Sequence, residues 1–168
     1  MIPDLEIFSL TIHEDIRGSF KESYREVGFL DEIGFDAIQN NICHNKMLAV
    51  TRGMHAEPWY KYISLASGQV YAAWVDLRGG GNFGMVQAEI LTPDMAVLVP
   101  PGVANGYQTL EEDTIYTYLV DSLYEPGDYP SVYAFDPDLG IDWPYPREQA
   151  ILSNKDFNNP FFKEVTPL

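Results

Sequence analysis

The sequence predicts an all-β chain, an antiparallel sandwich or barrel of the jelly-roll kind, and three observations carry that expectation. Short stretches of alternating or continuously apolar character recur along the chain. Turn chemistry built from Gly, Pro and Asp separates them, and only one stretch has helical periodicity. At 168 residues with 46% hydrophobic content, the chain can bury one substantial core and is too short for two, so a single domain over 1–168 is expected.

Residues Glu6 to Ile12 and Phe20 to Tyr24 read as two strands joined by the polar turn His13 to Gly18. From Arg25 to Ile33, Val27, Leu30 and Ile33 recur at helical spacing, and Gly34 is a plausible stop for a short peripheral helix. Ala37 to Cys43 turns extended, and its Gln39-Asn40-Asn41 triplet either lines a pocket or sits on a solvated face. Lys61 to Leu77 reads as two strands about a Ser67-Gly68 turn. In the second of them Val70, Ala72, Trp74 and Asp76 share one face and Tyr71, Ala73, Val75 and Leu77 the other, so that strand is expected between two layers.

Gly79 to Gly81 read as a turn, since neither GxxxxGK[ST] nor a long helix follows to hold a phosphate. Met85 to Leu91 and Met95 to Val99 are further strands about Pro93-Asp94, and Pro100-Pro101-Gly102 ends the second. Tyr107 to Leu110 and Thr114 to Val120 read as a hairpin about Glu111-Glu112-Asp113, with Tyr116 and Tyr118 on one face. Beyond Tyr124, the segment at about 125–168 is rich in Pro, Gly, Asp and Tyr and reads as irregular chain wrapped over the barrel.

A net charge of -15 argues against nucleic acid or an anionic membrane as partner, because either needs a basic surface. With one cysteine, Cys43, no internal disulfide is possible. The first residues carry no basic region followed by an apolar stretch, and a cytoplasmic location is the expectation. The densest chemistry lies in Thr51 to Lys61, TRGMHAEPWYK, where Gly53 permits close backbone approach beside Arg52 and His55. Arg52 and Lys61 suit an anion, and an imidazole is the side chain whose charge changes nearest neutral pH. The HxH spacing of a metal-binding jelly roll is absent, so no bound metal is expected.

The segments DIRGSFKES, QNN, TRGMH, VDLR, FG, VPPGVANGY, the Tyr118 strand, DPDLGIDWP and LSNKD occur in that order from about Asp15 to Pro160. On them the chain resembles the dTDP-4-dehydrorhamnose 3,5-epimerase (RmlC-type) cupin family. The resemblance implies a double-stranded β-helix jelly roll, a homodimer and no cofactor. It implies inversion beside the C4 ketone of a nucleotide-linked 4-keto-6-deoxy sugar. His55 matches the family's base, Asp156 the carboxylate that orients it, and Tyr118 the acid across the ring. Arg52 and Lys61 match cations that hold the sugar, the enolate or the phosphates. Gln39, Asn40 and Asn41 fall where the family meets its ligand. Arg17, Phe20 and Glu22 match a segment that reaches the nucleotide from the neighbouring subunit, and Lys155 a further ligand contact.

Four residues, at three places, depart from the family pattern. Asn105, in Ala104-Asn105-Gly106-Tyr107, stands where a second histidine is usual, and asparagine donates a hydrogen bond but carries no proton. Ala72 replaces a common aspartate, and Ala56-Glu57 replaces an aromatic-Gln pair. These leave open an epimerase acting at C3 or C5 alone, or on another nucleotide sugar such as a GDP-heptose. A sugar-binding cupin without catalysis, or a ketoisomerase of related fold, is the alternative from another class.

Overall fold

Two antiparallel sheets pack face to face, and the cavity of interest lies between them. The computed structural model describes residues 1–25, 29–125, 127 and 129–168. Eleven strands follow in order: β1 (Glu6–Ser9), β2 (Ile12–Asp15), β3 (Gly18–Lys21), β4 (Gln39–Asn45), β5 (Thr51–His55), β6 (Lys61–Ser67), β7 (Val70–Asp76), β8 (Val86–Leu91), β9 (Met95–Val99), β10 (Val103–Thr109) and β11 (Thr114–Val120). Two one-turn helices, α1 (Phe29–Glu32) and α2 (Asn154–Phe157), lie among them. The larger sheet runs β1-β9-β6-β11-β4, the smaller β5-β10-β7-β8, and β2 and β3 form a separate hairpin.

Side-chain alternation builds the core from both sheets. Ile63, Leu65, Val97, Val99 and Tyr116 of the larger sheet meet Val70, Ala72, Trp74, Val103 and Tyr107 of the smaller. The odd residues of β7 point the other way. Ala73 and Val75, with Met54 and Ala104, pack under Val132, Ala134 and Leu139 of the C-terminal segment. The strand expected to be buried on both faces is so buried, its second layer being irregular chain rather than a sheet. On the larger sheet's outer face Leu30 and Phe35 cover Tyr62, Ala96 and Leu98.

Some boundaries differ from expectation. The segment His13 to Gly18 is not all turn: β2 and β3 pair from Ile12↔Lys21 to Asp15↔Gly18, leaving Ile16 and Arg17 as a two-residue loop. Its side chains are polar or exposed, so no buried face marked these strands in the sequence. β1 pairs with β9 instead, at the larger sheet's edge. β10 starts at Val103, earlier than expected, and β10 and β11 are not a hairpin: the first pairs with β5 and β7, the second with β4 and β6. The Glu111 to Asp113 turn therefore carries the chain from one sheet to the other, as Ser67-Gly68 does between β6 and β7. Of the helix expected over Arg25 to Ile33, the turn Phe29–Glu32 forms, while Val27 lies outside the described residues. No helix is long and apolar enough to cross a membrane among the described residues.

Candidate active site

A cavity of about 400 Å³ opens between the sheets, and strands from each line it. β5, an edge strand of the smaller sheet, brings Arg52 and His55; β11, in the larger sheet, brings Tyr118; β6 brings Lys61 and β10 brings Asn105. Close approach of β5 to β10 depends on two glycines. A Cβ at Gly53 would lie 2.6 Å from the Asn105 carbonyl oxygen, and one at Gly106 would lie 2.8 Å from that of Arg52. The ladder shifts register between Asn105 and Tyr107, where a bulge sets Asn105 opposite His55. The Asn105 amide then donates to the His55 carbonyl at 2.9 Å.

The outer edge of β5 is closed by the C-terminal chain. Thr51 donates to the Ile151 carbonyl, and Met54 and Val132 exchange backbone hydrogen bonds. That pairing delivers α2, whose Ser153 cap accepts from the Asp156 amide at 3.0 Å, so the Asp156 side chain meets the imidazole. His55 Nε2 and Asp156 Oδ1 are 2.7 Å apart. Burial acts to raise the Asp156 carboxyl, but the hydrogen bond and charge of His55, with the Ser153 hydroxyl and the Gly53 backbone, hold it below the ordinary carboxylate value. An ionised carboxylate only accepts, so His55 donates Nε2–H and keeps Nδ1 as its basic nitrogen.

Tyr118 faces the same cavity from the other sheet. Burial first, then Cys43 and Glu57 beside it, push its phenol up to about 12 against the opposing pull of Arg52. It is therefore protonated at neutral pH. Lys61 Nζ lies 5.4 Å from the centre of the Tyr118 ring and 2.6 Å from a Glu57 carboxylate oxygen, with both partners of that ion pair largely buried. Arg52 donates Nε–H to Asn45 Oδ1 at 3.0 Å, and the Tyr107 hydroxyl donates to the same oxygen at 3.2 Å.

The other predicted residues lie outside this cavity. Gln39 and Asn41 line an adjoining recess of about 240 Å³ that shares Glu57, Lys61 and Tyr118 with the cavity. Asn40 is turned to the sheet's outer face by the two-residue period, beside Thr117 and Leu119, so the triplet divides between two surfaces. Arg17 and Phe20 stand on the exposed β2–β3 hairpin, Arg17 paired with Asp15, while Glu22 pairs with Arg25 at 2.5 Å. Lys155 is exposed on α2, outside the cavity lining.

Cys43, Asn45 and Tyr107 were not expected at the site, and Tyr116 was expected only as a face-mate of Tyr118. The period that joins Gln39 and Asn41 extends to Cys43 and Asn45, and the one that joins Tyr116 to Tyr118 puts both in the cavity wall. Among the described residues, no three His, Cys, Asp or Glu side chains come together to hold a metal ion.

Fold and cavity together define a cupin-type jelly roll. The family model described as dTDP-4-dehydrorhamnose 3,5-epimerase matches residues 1–164. The chain is 42% identical to the protein named RmlC homolog of Streptococcus pyogenes serotype M6, over 99% of this chain and 89% of that one. Among solved structures it is similar to RmlC of Streptococcus suis in complex with dTDP-D-xylose (TM-score 0.90, 39% identity, covering 99% of this chain and 90% of that one). It is similar also to the dTDP-6-deoxy-D-glucose-3,5-epimerase RmlC of Legionella pneumophila in complex with dTDP-4-keto-L-rhamnose (TM-score 0.88, 30% identity, 98% and 90%). The chain belongs to the dTDP-4-dehydrorhamnose 3,5-epimerase family, a family of isomerases.

Proposed function

We propose that the protein epimerises a nucleotide-linked 4-keto-6-deoxy sugar, converting dTDP-4-dehydro-6-deoxyglucose to dTDP-4-dehydrorhamnose. One observation carries this reading: an imidazole backed by a carboxylate and a phenol held protonated enter one cavity from opposite sheets. Protons at C3 and C5 are acidified by the C4 carbonyl. His55 removes one, an enolate forms, and Tyr118 returns a proton to the opposite face. Inversion needs two groups on two sides.

The enolate oxygen requires a cation or donor in a partly dry site, and Lys61 and Arg52 supply it; both line the cavity, as does Asn105. The recess at Gln39 and Asn41 takes the nucleotide end. Arg17, Phe20 and Glu22, exposed on their own chain, reach the nucleotide in a second copy, and Lys155 adds a contact at the periphery.

Turnover in D₂O followed by mass spectrometry tests the reading. Two deuterons in the product are expected. One deuteron would establish a single-carbon epimerase, and none with any dTDP-, CDP- or GDP-linked 4-keto sugar would leave a binding protein.

A further inference from the structure

Glu57 is the unexpected group in this cavity, because a carboxylate facing the place where a diphosphate-bearing ligand must sit repels it. Its surroundings give it another task. Lys61 is only 8% exposed, and Glu57 approaches it to 2.6 Å from four residues earlier, across the turn containing Pro58 and Trp59. The ammonium so held lies against the Tyr118 ring.

We propose that Glu57 is a positioning residue of the epimerase site: it holds the buried Lys61 ammonium in place and charged, so that Lys61 can receive the enolate oxygen beside Tyr118. The proposal rests on the function argued above. A lysine taken out of water loses its proton unless a partner compensates. Burial pushes Lys61 below its ordinary value, and the Glu57 carboxylate, 2.6 Å away, is the main opposing influence. The other titratable and charged groups around the cavity are Cys43 from β4, Arg52 and His55 from β5, Tyr107 from β10, Tyr116 and Tyr118 from β11, and Asp156 from α2. Of these Cys43 also acts to keep Lys61 charged, with a smaller effect than Glu57. Glu57 further raises Tyr118, so one carboxylate keeps both the cation charged and the acid protonated.

Neutralising it therefore moves both groups the same way. In Glu57→Gln, Lys61 gives up its proton at lower pH, and Tyr118 loses one of the influences that hold it protonated. The alkaline limb of the kcat profile shifts toward neutrality. At neutral pH kcat falls at least about tenfold, as expected for a weakened oxyanion partner, while KM stays level or drops because a repulsive charge has gone. Glu57→Asp gives intermediate values. In a Lys61→Met background, Glu57→Gln adds no further loss of kcat.

The experiment measures kcat and KM against pH for wild type, Glu57→Gln, Glu57→Asp, Lys61→Met and the double variant, on dTDP-4-dehydro-6-deoxyglucose with deuterium incorporation from D₂O as the readout. An unshifted alkaline limb in folded Glu57→Gln, or full additivity with Lys61→Met, overturns the proposal. Where Glu57→Gln fails to fold, an unshifted limb in Glu57→Asp does so. Absence of exchange in the wild type overturns the function itself and this proposal with it; exchange in the wild type with no effect at Glu57 overturns the proposal alone.

Discussion

At the residue scale, the proposed acceptor and donor of the proton differ in environment. His55 is exposed on 24% of its side chain and braced by Asp156, whereas Tyr118 is held protonated. Tyr118→Phe keeps the ring and removes the proton. His55 still abstracts in that variant, so substrate recovered from D₂O should carry deuterium with retained configuration, while formation of inverted product falls by about 10²–10⁴. Loss of both exchange and inversion would place abstraction on Tyr118 instead. Asp156 makes a prediction in stability. Its carboxyl is below its ordinary value in the folded protein, so its contribution is present above the ordinary carboxylate range and is lost as pH falls through the folded value. Asp156→Asn should thus lower the urea midpoint at neutral pH, and the gap to wild type should close on acidification. A gap that widens in acid would contradict the assignment. At neutral pH the same variant should also lose turnover, because a neutral partner no longer selects the tautomer that leaves Nδ1 basic.

At the scale of elements, β5 and β10 decide whether the site exists. Gly53 has φ 109°, and a Cβ there would meet the Asn105 carbonyl oxygen at 2.6 Å and the Gly106 Cα at 2.7 Å. Both are backbone atoms that cannot move independently of the sheet. Gly53→Ala should cost about 2 kcal/mol or more, combining backbone strain with a clash, and should lower activity by displacing Arg52 and His55. Gly81→Ala, in open space at an ordinary dihedral, should change stability by no more than about 1 kcal/mol. Urea midpoints at unchanged m-value compare the two. What the sequence made legible follows from the same physics. Strands whose neighbours bury a face, such as β7 and β11, were readable from their two-residue period, which put Tyr118 on the face of Tyr116; His55 and Lys61 stood out by the density of imidazole and cations in Thr51 to Lys61. The β2–β3 hairpin buries almost nothing, so no pattern marked it. Whether a turn joins two strands of one sheet or carries the chain across the sandwich depends on which long-range partners the strands take, and the turn at Glu111 to Asp113 has no local residue that says so. The contact of Asp156 with His55 spans 101 positions and arises only because the C-terminal chain closes the β5 edge; the resemblance, not residue pattern, brought the two together in the sequence reading.

At the scale of the whole molecule, Lys21 ties the β2–β3 hairpin to the Leu65 and Pro93 carbonyls, while the rest of it stands out from the sheets. Side chains of Arg17 and Glu22 are exposed at 85% and 55%, and Phe20, an aromatic residue 65% exposed, stacks on His13. A surface ion pair such as Arg17–Asp15 contributes little to stability, so folding gives these residues no evident role. They fit a symmetric dimer in which each hairpin completes the other protomer's site, since two-fold symmetry makes such a donation reciprocal. Arg17→Ala and His55→Ala, each inactive alone on this reading, then complement each other. A hybrid dimer has one site with its own His55 and the partner's Arg17, and one site with neither. Random exchange makes half the dimers hybrid, so an equal mixture should recover about a quarter of wild-type activity. Light scattering on the same samples should give the mass of two chains. If Arg17 instead served its own cavity, no hybrid would contain an intact site and the mixture would stay inactive; if Arg17→Ala alone kept full turnover, the hairpin would have no part in the reaction.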